Sequence, residues 1–253
     1  MQITFLGTGT SQGVPIVACP CNVCHSSDPK DKRLRSSILV ETNNRTFVID
    51  TGPDFRQQML RENITKMDAV IFTHEHKDHT AGFDDIRAFN FVNKRKMDVY
   101  ASARVQEAIR REYAYIFSDF KYPGIPEINL HLLENKLFSI EGVAIIPIEV
   151  LHYKLPVFGF RFGDFTYVTD ANYISDSEKE KMKNSKVLVL NALRKEPHIS
   201  HFTLEQAIEL VKELKPEKAY FTHVSHQLGL QAEIQKELPG NIEIAFDGLK
   251  INL

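Results

Sequence analysis

The sequence is short of most features that assign a chain at a glance. No apolar run approaches the roughly 20 residues of a membrane-spanning helix. The start, "MQITFLGTG", has no basic lead, and its apolar run breaks at once, so no secretory leader is expected. There is no basic tail: 31 Lys and Arg stand against 33 Asp and Glu, a formal net charge of −2. Proteins that grip nucleic acid without regard to sequence neutralise many phosphates with clustered cations, and this balance speaks against that class. The short "NKRK" at Asn93–Lys96 reads as a solvated helix end. Cysteine is scarce as well, with three residues, all inside "CPCNVC". So tight and odd a group makes a poor disulfide framework and a better metal site. The cytoplasm is the compartment expected, and no internal repeat, low-complexity tract or linker stands out.

What is present suits a folded domain. Apolar residues make up 43% and charged residues 25% of the 253 positions, enough for a core without staples. One domain over 1–253 is expected. "ITFLG", "SSILVET", "RTFVID" and "DAVIFT" read as strands, rich in β-branched and aromatic residues and bounded by Gly, Asn or Asp. "TNN" at Thr42–Asn44 turns the second into the third as a hairpin. Later strands are expected in "DVYA", "EGVAIIPIEV", "VFGFRFG", "FTYVTD", "KVLVLNA", "KAYFTHV" and "IEIAF". Helices are expected over Pro53–Glu62, Asp78–Val92, Ala103–Tyr115, Ser175–Lys183 and Thr203–Leu214. In the last, Leu204, Ala207, Ile208 and Val211 recur at helical spacing behind a Thr203 cap. The fold class is α/β, a pair of mixed sheets with helices outside. Phe89 and Phe91 are expected in the core.

Residues 7–32 resist this pattern. They have no periodicity and hold Gly7, Gly9, Gly13, Pro15, Pro20 and Pro29. A loop that long inside a compact domain is usually functional or disordered. The cysteines lie in it, which suggests an anchor.

The densest chemistry is "DAVIFTHEHKDH". His74 and His76 are two apart at the end of an expected strand, so their imidazoles share a direction. Asp78 and His79 start the next helix and diverge from that pair. One segment then offers two ligands to one cation and two to its neighbour. A two-metal site can hold a hydroxide between its ions and clamp attacking and leaving oxygens. Imidazole and carboxylate suit zinc, manganese or iron. Three further apolar runs each end in a ligand-type residue: "IEVLH" at His152, "FTYVTD" at Asp170 and "KAYFTH" at His223.

His74-x-His76-x-Asp78-His79, followed by His152, Asp170 and His223, resembles the metallo-β-lactamase superfamily along nearly the whole chain. The resemblance implies a four-layer αββα sandwich with metals at one edge. It implies His74, His76 and His152 on one metal, Asp78, His79 and His223 on the other, and Asp170 bridging. Asp50, in "FVIDTG", matches an early aspartate that orients the ligand imidazoles from behind.

"CPCNVC", "THVSHQLG" and "PHISHFTLEQA" resemble the PhnP-type phosphodiesterases, a branch associated with carbon–phosphorus-lyase pathways. "GTGTSQGVP" and "HTAGFDDIRAFN" are similar to that branch too. This implies a structural zinc on Cys19, Cys21, Cys24 and His226 that pins the early loop, and two divalent cations, zinc or manganese, in the paired site. His201 matches the branch's acid near the leaving group; spacing alone does not choose between it and His198. Arg35, Ser36, Ser37, Tyr153 and Lys154 could meet a phosphate but read as ordinary surface groups, and His25 and His131 take no part.

The implied activity is metal-dependent hydrolysis of a small phosphodiester, cyclic ones included, by a bridging hydroxide. Lactone, thioester or β-lactam hydrolysis on the same centre is the alternative. RNA processing ranks lower, because the run Phe117–Leu130 is too short and scarcely basic for an RNA-gripping arm. An inactive zinc-binding protein ranks lowest, since every expected ligand is present. A homodimer is compatible with the resemblance.

Overall fold

The computed structural model describes residues 1–120 and 122–253. The first half of the chain builds one sheet from β1 (Gln2–Gly7), β2 (Ser37–Thr42), β3 (Arg45–Ile49), β4 (Ala69–Ile71), β5 (Met97–Ala101) and β6 (Ile128–Leu132). The second half builds another from β7 (Phe138–Ile140), β8 (Val143–His152), β9 (Leu155–Phe162), β10 (Phe165–Tyr167), β11 (Val187–Asn191), β12 (Lys218–Thr222) and β13 (Ile242–Ile244). The last strand, β14 (Lys250–Asn252), returns to pair with β1, giving seven strands in each sheet. Both sheets begin antiparallel and finish parallel, from β3 in the first and from β10 in the second.

The helices are α1 (Phe55–Arg61), α2 (Lys77–Thr80), α3 (Arg87–Asn93), α4 (Ala103–Glu112), α5 (Asp176–Met182), α6 (Leu204–Leu214) and α7 (Gln231–Glu237). They cover the outer faces of the sheets, so most strands are buried on both sides. In β3, Phe47 and Ile49 pack between the sheets while Val48 faces the helix layer. In β11 Val187 and Val189 face inward, and Leu188 and Leu190 lie under α5 and α6. Period-two alternation with both faces apolar explains the nearly continuous hydrophobic runs. The result is the expected four-layer αββα arrangement. No described helix is long and apolar enough to cross a membrane.

Local structure follows the sequence where turn chemistry is explicit. Thr42 pairs with Arg45 across Asn43 and Asn44, both at positive φ (50° and 59°), a tight hairpin turn. Thr203 and Gln206 form a reciprocal capping box at the start of α6. The single helix expected over Asp78–Val92 is instead three pieces: α2, a 3₁₀ turn at Phe83–Ile86, and α3. Gly82 interrupts it because its backbone packs on Gly52: a Cβ there would lie 2.1 Å from the Gly52 carbonyl oxygen. Its N–H donates to the Thr51 carbonyl at 2.8 Å. Phe89 is buried as expected, but Phe91 is 67% exposed. Two positions further on, the helix has turned by about 200° and carries that ring to solvent. The sequence pattern does not declare strands β6, β7 and β14 or helix α7. Lys121, in the run Phe117–Leu130, lies outside the described residues.

Candidate metal centre

Every residue of the expected paired site sits at one edge of the sandwich, where strands end. His74 and His76 follow β4, Asp78 and His79 ride on α2, His152 is the last residue of β8, Asp170 comes just after β10, and His223 follows β12. Asp50, Asp170 and His223 hold left-handed backbone (φ 65°, 57° and 54°). That conformation costs a non-glycine residue about 1–2 kcal/mol, and packed surroundings must hold it. Asn191 supplies one such hold, accepting from the Ala171 N–H at 2.8 Å and donating to the Ala171 carbonyl at 2.9 Å.

The side chains converge as two sets. Candidate ligand atoms of His74, His76 and His152 lie within 4.8 Å of one another, as do those of Asp78, His79, Asp170 and His223. Asp170 forms a third such group with His152 and His201, so its carboxylate lies between the two sets. Buried partners fix the imidazoles from behind. Asp50 Oδ2 accepts from His79 Nδ1 at 2.7 Å and from the Thr73 hydroxyl at 2.8 Å. That hydroxyl in turn accepts from His74 Nδ1 at 2.9 Å. His152 Nδ1 donates to the Ser200 carbonyl at 2.9 Å. The protons then sit on the outer nitrogens, and the inner ones present lone pairs, as metal-binding histidines require.

Burial and mutual charge shape the electrostatics. Burial, with neighbouring imidazoles, pushes His74 well below the usual histidine range and lowers His76 and His223. Burial acts on His79 in the same direction, but the carboxylates of Asp78, Asp170 and Asp50 overcome it and raise it well above that range. Asp170 is buried and Asp78 partly so, yet the surrounding imidazoles hold both below the usual carboxylate range. The centre therefore combines anionic carboxylates with mostly neutral imidazoles.

A divalent cation fits this donor set. The buried His79 Nε2 makes no hydrogen bond although it lies 3.2 Å from Asp78 Oδ2 and 3.3 Å from Asp170 Oδ2. An imidazole nitrogen and two carboxylate oxygens turned toward one point suit a cation, and the carboxylates that favour a proton on His79 in the metal-free site would favour a metal ion in its place.

His201 faces the same space. It is buried, its Nδ1 has no partner and lies 3.8 Å from Asp170 Oδ1, and its ring centroid is 4.6 Å from that of His152. Burial, with His223 adding to it, pushes its pKa down to about 3. The ring is neutral at neutral pH even with the Asp170 carboxylate 3.8 Å away, and a further anion beside it would favour its protonated form. His198, half-buried, stands next to it with centroids 5.1 Å apart.

The second cluster is on the early loop. His226 Nδ1 lies 3.3 Å from Cys19 Sγ, 3.3 Å from Cys21 Sγ and 3.6 Å from Cys24 Sγ. Hydrogen bonding, first from the Cys24 N–H and then from His226, lowers Cys21 to about 6, whereas burial raises Cys24 to about 11. Three sulfurs and one imidazole around a point make a closed tetrahedral set. Behind the cluster, the buried Arg33 donates to Thr8, Gln231 and the Ala245 carbonyl, and the Gln231 N–H donates to Asp31 at 2.8 Å.

Of the remaining candidates only Ser36 touches the centre. Arg35 pairs with Asp54 at 3.0 Å, and Lys154 stacks over the Tyr153 ring. Ser36 and Ser37 are buried: Ser36 Oγ contacts His223 Nδ1 at 3.2 Å, and Ser37 donates to the Asp50 carbonyl. His25 is exposed and His131 is bonded to Asp98. Sequence reasoning passed over Thr73, Ser200 and Asn191, since a hydroxyl or carbonyl behind a ligand has no spacing signature.

A family model described as "Beta-lactamase superfamily domain" matches residues 45–224. The chain is 38% identical, over 99% of its length, to a Porphyromonas gingivalis (strain ATCC BAA-308 / W83) protein named octanoyltransferase. It spans about half, 51%, of that protein. The crystal structure of a new diphosphatase from the PhnP family superposes with a TM-score of 0.94 at 37% identity, covering 100% of this chain and 97% of that one. Zinc-bound PqqB from Methylobacterium extorquens superposes at 0.80, covering 100% of both chains; at 17% identity the likeness is one of fold.

Proposed function

The chain belongs to the β-lactamase superfamily, on its PhnP-family branch, and from that premise we propose that it is a metal-dependent hydrolase of a small phosphodiester. One observation carries the reading: Asp170 lies between two sets of ligand-type side chains, within reach of both. His74, His76 and His152 would hold one cation and Asp78, His79 and His223 the other, with Asp170 between; the pair is zinc or manganese. Bound there, the two cations would supply an acidified water and neutralise charge on the phosphoryl oxygens. Asp50 and Thr73 set the tautomers of His79 and His74. His201, on the boundary of the centre, donates a proton to the leaving oxygen once the anionic phosphoryl group beside it has raised its pKa. Cys19, Cys21, Cys24 and His226 would hold a structural zinc.

The likeness to a diphosphatase favours phosphorus as the reacting atom. The protein named octanoyltransferase favours a second reading, hydrolysis of an acyl thioester. The test is a panel of an activated phosphodiester, a phosphomonoester, an acyl-homoserine lactone and an octanoyl thioester, with enzyme loaded separately with zinc and with manganese. Turnover confined to the phosphodiester is expected. Turnover of thioester or lactone alone would overturn the reading.

A further inference from the structure

Asp170 stands between the two ligand sets, and its two oxygens have different neighbours. Oδ2 lies 3.3 Å from His79 Nε2 and 3.2 Å from His223 Nδ1. Oδ1 turns the other way, 3.8 Å from His201 Nδ1, whose ring stacks beside His152. Rotation of the carboxylate about Cβ–Cγ exchanges the two oxygens, because a torsion of that kind has broad wells and a near two-fold repeat. A ligand shared between two cations needs that freedom removed.

Thr169 removes it. The residue is fully buried, and its hydroxyl donates to Asp170 Oδ2 at 2.7 Å. An ionised carboxylate only accepts, and each of its oxygens offers more than one lone pair, so Oδ2 can take this bond and still face His79. The hydroxyl stands on fixed backbone. Before it, the Val168 N–H donates to the Val189 carbonyl at 2.9 Å and continues the pairing of β10 with β11. After it, Ala171 is held by Asn191, and its carbonyl also accepts from the Phe202 N–H at 2.7 Å. A short bond to an ionised acceptor is among the stronger kinds, and both partners are out of water. The set of His74, His76 and His152 has no such dependence, since Thr73 and the Ser200 carbonyl orient its imidazoles independently of Asp170.

We propose that Thr169 is a positioning residue of the metal centre: its hydroxyl assigns Asp170 Oδ2 to the cation held by Asp78, His79 and His223, and so makes that position depend on a bond the other position does not need. The proposal rests on the paired-cation reading above and deepens it, because the two positions then have different requirements.

The test measures manganese binding to protein that carries zinc on its cysteines alone, with free manganese counted from its electron paramagnetic resonance signal. T169V keeps the shape of the side chain and removes the bond. In a His152→Ala background, which disables the three-imidazole set, T169V should weaken the remaining cation by about 10- to 100-fold, and T169S should restore it. In a His223→Ala background, which disables the other set, T169V should change the affinity little. Equal weakening in both backgrounds would overturn the proposal, since Thr169 would then support the Asp170 turn as a whole. No weakening in either, or a T169S protein that stays weak, would overturn it as well. In the otherwise unaltered protein T169V should spread the two binding steps apart, so that a single-ion signal precedes that of the spin-coupled pair. Steps identical to those of the wild type would overturn the proposal there. A wild type that takes up no manganese pair would overturn the paired-cation reading itself.

Discussion

The two ligand clusters of this protein are only three residues apart at His223 and His226, yet they are built differently. The histidine and aspartate centre stands on strand ends, backed by Asp50, Thr73 and Ser200, and its geometry is set by the sandwich. The cysteine cluster hangs on a loop without periodicity, and Cys19 and Cys21 are only half-buried. Its inner half is tied down by the Arg33 and Asp31 network, and the turn carrying the sulfurs packs on a small apolar cluster of Val14, Val23, Ile16 and Leu230. A preformed centre loses chemistry when a ligand is removed and keeps its shape. A cluster that organises its own loop loses shape, and chemistry only through it.

The largest expected effect breaks the comparison at its sharpest point. Asp170→Asn should reduce turnover to background and leave one metal per chain on the cysteine site, with little change in the proteolytic susceptibility of residues 7–32. Cys24→Ser should do the reverse, loosening that loop to protease while the paired metals stay and turnover falls far less. Metal analysis, kinetics and limited proteolysis on the two variants decide it. Equal losses of turnover would mean that the two sites are one cooperative unit.

A smaller effect belongs to His201, which lines the centre without completing either ligand set. His201→Ala should slow hydrolysis of a diester with a poor leaving group by about 10²–10⁴-fold and leave metal content unchanged. An activated aryl ester, whose leaving group needs no proton, should hardly notice. Equal slowing on both esters would make His201 a ligand or a packing group in place of a proton donor.

The difference between the two regions also explains what could be read before folding. In "KVLVLNA" and "RTFVID" alternate residues are buried on opposite faces, so the strands declare themselves. Seven ligand-type residues follow such strands at recurring positions. Three-residue edge strands such as β14, which pairs with a segment some 250 positions away, carry too little pattern to be seen. The break at Gly82 depends on a close approach to Gly52, a contact between two loops. Phe91 reads as apolar and lies in solvent, because the helix it belongs to is short and turns it outward. Thr169 resembles any threonine at a strand end until its bond to Asp170 is in view.

The smallest expected effect separates the regions by pH, in metal-free protein. His74, His76, His201 and His223 have pKa values lowered by burial, so between those values and the unfolded value near 6.5 the unfolded chain binds more protons. Their contribution to stability is full above about 6.5 and declines as the pH falls below it. His79, raised by its carboxylates, acts in the opposite sense: its contribution is full below about 6.5 and is lost as the pH rises through its folded value. Four groups outweigh one, so Tm should fall steadily from pH 7 to 5. Asp78 and Asp170 add to the loss only below about 4, the unfolded carboxylate range. Cys21, lowered to about 6, titrates on the other side: its contribution is present above the unfolded thiol value, about 8.5–9, and is lost as the pH falls toward 6. Calorimetry of metal-free Cys21→Ser should therefore keep the acid limb and flatten the limb between pH 6 and 9. If the acid limb flattened with it, the cysteine loop would be coupled to the buried imidazoles even without metal, and the strand ends alone would not be what holds the centre.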